Sequence, residues 1–237
     1  MKIKNPVMLA LDVDSDSECL RIAKLLGPDV GALKVGPRLI LRFGAPLIKE
    51  LAQIAPVFVD CKYLDIPSTM DAAIRASFEA GASFATVHAW AGPEALERLA
   101  KTERELAEIR PFKILVVSIL TSFNQKNLPP PMSEFKIAQQ VSELVEMASQ
   151  KKLSGFVCSP HEVGVVRKNH PTSFLVTPGV RMAGEDQADQ ERVMTPSQAL
   201  SEGASALVIG RSLLNAPNPK HKLKEIIDSL KESVVRT

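Results

Sequence analysis

Eight short apolar runs recur along the 237-residue chain, at residues 7–13, 32–35, 57–59, 84–87, 114–120, 156–158, 174–176 and 206–209. Each is rich in Val, Ile, Leu or Ala and lacks the strict alternation of a strand with one wet face. Such runs predict strands buried on both faces, as in a parallel sheet. Between them lie segments such as 17–26, 91–108 and 133–150, where apolar residues return every three or four positions and predict amphipathic helices. Eight strand and helix units in one chain of this length predict an α/β fold, a (β/α)8 TIM barrel forming a single domain over residues 1–237. A doubly wound open sheet is the rival architecture, and it would normally use fewer strands. The stretch "NLPPPM" at 127–132 reads as a loop ahead of a helix, not as a linker between domains.

Composition narrows the function classes. With 45% apolar residues the chain can fill a large core, and its 29 basic and 27 acidic residues leave a formal charge of only +2. That balance predicts no nucleic-acid partner and no acidic-membrane partner. The first apolar run is interrupted by Asp12 and is too short for a signal-peptide core or a membrane span, so a soluble, cytoplasmic protein is expected. Cys19, Cys61 and Cys158 form an odd set with no close pair and no His at metal-ligand spacing, which suits reduced thiols.

In such a barrel the reactive groups come from the C-terminal ends of the strands. Those ends carry Asp12, Lys34, Asp60, Lys62, His88, Thr121, Arg181 and Arg211. The segment "VDCKYLDI" at 59–66 sets two aspartates and a lysine into a run that otherwise reads as a buried strand. Charge removed from water costs several kcal/mol per ion unless it is paired, so the placement points to chemistry. Strand alternation puts Asp60 and Lys62 on one face with Cys61, a packing residue, on the other. Lys34, on the neighbouring strand about 4.8 Å away, can reach Asp60. Asp65 lies just beyond the strand, where the chain enters a helix through Pro67. An alternating row of Lys34, Asp60, Lys62 and Asp65 is therefore expected, in which opposite neighbours favour the ionised forms. A structural ion pair would account for Asp60 and Lys62 alone, but not for four charges converging on one face. Asp12, in "LALDVD", could cap the following helix; Asp14 or Ser15 can do that instead, which leaves Asp12 for the site.

A second group lies near the C-terminus. "VTPGVR" (176–181) and "VIGRS" (208–212) place Gly-containing turns and two arginines after the last two strands, where barrels often hold a phosphate. Backbone N–H groups at Gly210 and Arg211 and the Arg211 fork suit phosphate oxygens, and the polar loop 182–194 could close over them. His88, in "TVHAW", is expected to be a packed or hydrogen-bonded structural residue. Trp90 is expected to pack, and His161, His170 and His221 read as surface residues.

Together these motifs resemble the orotidine 5'-phosphate decarboxylase family, in its short bacterial type. The shared segments are "LALDV", "LKVG", "VDCKYLDIPSTM", "TVHA", "ILTS", "VTPGVR", "DQERVMTP" and "VIGRSLLNAPNP", which together run almost the whole chain. The resemblance implies cofactor-independent decarboxylation of a nucleotide substrate, with Lys34, Asp60, Lys62 and Asp65 as the catalytic row. It implies Asp12 and Lys34 on the ribose hydroxyls and Thr121 near the pyrimidine ring. It also implies Arg181, Gln190, Gly210 and Arg211 on the phosphate, and no metal. Residues 184–188 blur the alignment, so Gln187 is the alternative to Gln190. The resemblance further implies a homodimer in which Asp65 and Thr69 act across the interface. A rival resemblance is to magnesium-dependent 3-keto-L-gulonate 6-phosphate decarboxylase, which carries a metal-binding Glu where this chain has Lys34; a cation there repels a divalent metal. A non-catalytic phosphometabolite-binding barrel would need only the phosphate end, not a neutralised charge row.

Overall fold

The structure, a computed structural model, describes residues 3–130, 132–181 and 194–234, the last four of these by backbone alone. Eight strands close into a barrel in chain order: β1 Val7–Ala10, β2 Ala32–Val35, β3 Val57–Tyr63, β4 Ala82–His88, β5 Lys113–Val117, β6 Gly155–Val157, β7 Phe174–Thr177 and β8 Ala206–Ile209. Every neighbouring pair is parallel, including β8 with β1. This is the predicted (β/α)8 barrel. Helices α1 Asp16–Leu26, α2 Pro37–Ala52, α3 Pro67–Glu79, α4 Gly92–Ile109, α5 Ile137–Gln150, α6 Val163–Asn169 and α7 Pro196–Ser201 connect the strands, followed by α8 Arg211–Leu214 and α9 Pro219–Val234.

Two apolar clusters explain why the strands read as continuous hydrophobic runs. Leu9, Leu33, Val57, Val59, Ala85, Val87, Val116, Leu175 and Leu207 face outward and pack under the helices. Met8, Ala32, Phe58, Phe84, Leu115, Val117, Val157, Val176 and Ala206 face inward and fill the barrel. Phe84 meets Phe58 edge-on at 6.2 Å and stacks on Phe174 at 5.7 Å. The lower barrel is thus a packed plug, and the polar residues two positions further along the same strands rise above it.

Boundaries differ from the sequence pattern where side chains redirect the chain. The run 7–13 ends as strand at Ala10, and Ser15 caps α1 by accepting from Glu18 N at 3.3 Å, the job foreseen for Asp14 or Ser15. The run 114–120 leaves the sheet after Val117. The segment 133–150 begins as a short turn at Met132–Glu134 and becomes regular helix only at Ile137. β3 runs further than its apolar signal, to Tyr63, because its polar end stays paired with β4.

Candidate functional site at the C-terminal mouth

A cavity of about 210 Å³ opens at the C-terminal ends of the strands. Parity along the strands selects its lining. Asp12 stands two positions past Ala10, Lys34 two past Ala32, Asp60 two past Phe58, and Gly210 two past Val208. Asp12, Lys34, Asp60 and Gly210 line the cavity, with Lys62, Thr121, Arg181 and Arg211.

One wall is an ionic chain. The Lys34 ammonium donates to Asp12 Oδ1 at 3.3 Å and lies 3.6 Å from Asp60 Oδ2, while Lys62 Nζ donates to Asp60 Oδ1 at 2.9 Å. Burial pushes the Asp60 carboxyl up, but the Lys34 and Lys62 ammonium groups and hydrogen bonds from Lys62 and Thr86 outweigh it, so its pKa falls below the ordinary carboxylate range. The turn carrying Asp12 is held from α2: Arg38 donates to Asp12 O at 3.3 Å and Arg42 to Asp14 O at 2.7 Å.

Two expectations about this wall need correction. Asp60 and Lys62 meet, but not through simple alternation. Lys62 has φ 49°, and β3 slips its register against β4, with Val59 opposite Ala85 and Tyr63 opposite Val87. Three residues of β3 therefore stand against one of β4, and this bulge re-aims the Lys62 side chain. Asp65 does not complete the row within its own chain. Its carboxylate is exposed and accepts from Ile66 N at 2.7 Å, and among the described residues it makes no ion pair. Asp12 takes the end position instead, so the row in one chain runs Asp12, Lys34, Asp60, Lys62. Thr69, on the first turn of α3, is likewise exposed.

Pro178, Gly179, Arg181, Gly210 and Arg211, at and beyond the ends of β7 and β8, line the rest of the mouth. Gly210 sits where a Cβ would approach Ala10 Cβ to 3.2 Å and Asp12 Oδ2 to 3.7 Å, so a side chain there would encroach on the cavity. Gln190, its alternative Gln187, and the loop 182–194 short of Met194 lie outside the described residues.

His88 ends β4 as foreseen. Burial, and secondarily the Lys62 ammonium, push its imidazole down to about 4, and Nδ1 has no hydrogen-bond partner among the described residues. It is a neutral, packed imidazole. Cys61 is partly buried, and burial pushes its thiol up. Trp90, expected to pack, is 47% exposed, and Leu64 (57%) and Ile66 (64%), just past β3, are exposed as well. The sequence reading passed over Thr86. Its position two past the inward Phe84 was the available signal, and it is fully buried in direct contact with both Asp60 and Lys62.

A closed parallel barrel with a charged C-terminal mouth, lined by a row of lysines and aspartates and by Gly-Arg turns, defines a class of (β/α)8 protein built around a small-molecule site. Residues 5–226 match the orotidine 5'-phosphate decarboxylase / HUMPS family, and the chain belongs to it. It is 37% identical to "Orotidine 5'-phosphate decarboxylase" of Psychromonas ingrahamii over 94% of this chain and 96% of that one. Identity to the protein of the same name from Dichelobacter nodosus is also 37%, over 95% and 99% of the two chains. The crystal structure of orotidine 5'-phosphate decarboxylase from Lactobacillus acidophilus superposes with a TM-score of 0.83 at 32% identity, covering 96% of this chain and 99% of that one.

Proposed function

We propose that this chain decarboxylates orotidine 5'-phosphate to uridine 5'-phosphate, without cofactor or metal, in de novo pyrimidine nucleotide synthesis in the cytoplasm. The observation that carries this reading is the Asp12, Lys34, Asp60, Lys62 row, ending in an ammonium at a cavity that Arg181 and Arg211 also line. Arg211, Arg181 and the Gly210 backbone hold the 5'-phosphate, and either Gln190 or Gln187 is the further contact expected there. Asp12 and Lys34 take the ribose hydroxyls, and Thr121 stands beside the pyrimidine ring.

Breaking the carbon–carbon bond releases carbon dioxide and leaves its electron pair on the ring carbon. The Lys62 ammonium stabilises that charge and then transfers a proton to the carbon, after which solvent restores the ammonium. Asp60 orients Lys62 and lies beside the departing carboxylate. The phosphate takes no part in bond breaking, but its binding energy supports the reacting geometry. Asp65 and Thr69, exposed on one protomer, complete the site of a twofold-related mate in a homodimer.

Lys34 also separates this reading from the gulonate-phosphate alternative. Its ammonium lies within 3.6 Å of both Asp12 and Asp60, where it already neutralises the carboxylates a divalent cation would need. Ultraviolet monitoring of orotidine 5'-phosphate in excess chelator tests both points together. Loss of the substrate absorbance should proceed unchanged, with no gain from added magnesium. Strict magnesium dependence would put the gulonate-phosphate reading first.

A further inference from the structure

We infer that Thr86 is a positioning residue for the reaction, holding the backbone of Lys62 and the carboxylate of Asp60 in one closed hydrogen-bonded ring. The inference rests on the proposed role of Lys62 and extends it to a residue that touches no substrate.

Thr86 points into the barrel directly above the Phe84 plug and is 0% exposed. Its hydroxyl uses its donor and one acceptor site on the charged row. Oγ1 accepts from Lys62 N at 2.9 Å and donates to Asp60 Oδ1 at 3.0 Å. The same Oδ1 accepts from Lys62 Nζ at 2.9 Å. The circuit therefore runs from the Lys62 backbone through Thr86 and Asp60 back to the Lys62 ammonium, and fixes both ends of one side chain.

The backbone at Lys62 needs such a tie. A non-glycine residue at φ 49° is strained by about 1–3 kcal/mol and persists only where its surroundings over-determine it. The register slip between Val59 and Tyr63 takes Lys62 out of the regular ladder with β4, and its N–H finds the Thr86 side chain instead. Removing the hydroxyl strands that N–H and takes one donor from Asp60. Lys62 is then free to relax towards ordinary strand geometry, carrying its ammonium away from the reacting carbon. Arg181, Gly210 and Arg211, which would anchor the phosphate, take no part in this circuit.

Thr86→Val keeps the branched shape and deletes the hydroxyl; Thr86→Ser keeps the hydroxyl. Steady-state kinetics with orotidine 5'-phosphate, uridine 5'-phosphate binding and thermal midpoints of both variants make the test. The expected result is a kcat lowered on the order of 10- to 100-fold in Thr86→Val. KM and product affinity should stay within a few-fold of wild type, and Thr86→Ser should recover most of kcat. Should Thr86→Val not fold, Thr86→Cys carries the same expectation, since its thiol is a poor substitute for the hydroxyl. Unchanged kcat in a folded variant lacking the hydroxyl overturns the inference, as does equal impairment of Thr86→Ser. Lys62→Ala serves as the control. If that variant keeps wild-type turnover, the functional reading itself fails; if it is inactive while Thr86→Val is unimpaired, only the role of Thr86 fails.

Discussion

Arg211 and His88 show how differently two polar residues at one mouth are used. Arg211 is exposed at the start of α8 and lines the cavity that the ionic row also lines. A charge-assisted hydrogen bond from its guanidinium to a phosphate is worth about 1.5–3 kcal/mol. Because that binding energy also supports the reacting geometry, Arg211→Ala should both weaken substrate binding, by roughly 10- to 100-fold, and slow turnover. Kinetics that match wild type in a folded variant would place the phosphate elsewhere. His88 contributes through its neutral form. Its folded pKa, pushed from 6.5 to about 4, lies below the unfolded value, so between those limits the unfolded chain binds the proton that the folded chain refuses. Stability is then fully present above 6.5 and is lost as pH falls towards 4. Allowing for screening at a half-buried ring, the loss is about 1–2 kcal/mol. Thermal midpoints of wild type and His88→Gln, measured at about pH 7.5 and about pH 4.5, should show the smaller fall in the variant. Equal falls would locate the acid sensitivity in other groups.

At the scale of elements, the division of labour in the β1–α1 turn gives a clean contrast. Ser15 caps α1, while Asp12 in the same turn accepts a hydrogen bond from Lys34 on the cavity wall. Ser15→Ala should therefore cost about 1 kcal/mol of stability and leave turnover unchanged. A large loss of activity at full folding would mean that the cap also sets the position of Asp12. The sequence pattern was sufficient to locate this turn, because apolar runs buried on both faces mark strands and Ser15 is a short-range signal. It was sufficient too for placing Asp12, Lys34, Asp60, Lys62, Thr121, Arg181, Gly210 and Arg211 at one mouth, since strand ends in a barrel converge regardless of side-chain detail. The bulge in β3 was not legible. Its register depends on what β4 presents, and Lys62 is not a residue type that advertises a positive φ. Thr86 escaped for a related reason. Threonine in an apolar strand reads as an ordinary β-former until the inward parity set by Phe84 is known.

For the whole molecule, Asp65 is the residue that points beyond a single chain. It is the one carboxylate of the "VDCKYLDI" segment that makes no ion pair among the described residues, and it stands among the exposed apolar residues Leu64 and Ile66. The proposed homodimer gives it a function. If each site combines Lys62 of one protomer with Asp65 of its mate, homodimers of Lys62→Ala and of Asp65→Ala each carry one lesion in every site. A mixed dimer instead collects both lesions in one site and leaves the other intact. Random reassortment of equal amounts gives about half heterodimers, so roughly a quarter of wild-type activity should return, as a twofold interface requires. Co-refolding the two inactive variants, with tag pull-down to count heterodimers, measures it. If heterodimers form and activity stays at the parental level, Asp65 serves its own chain, and the row at the mouth must be completed without the partner.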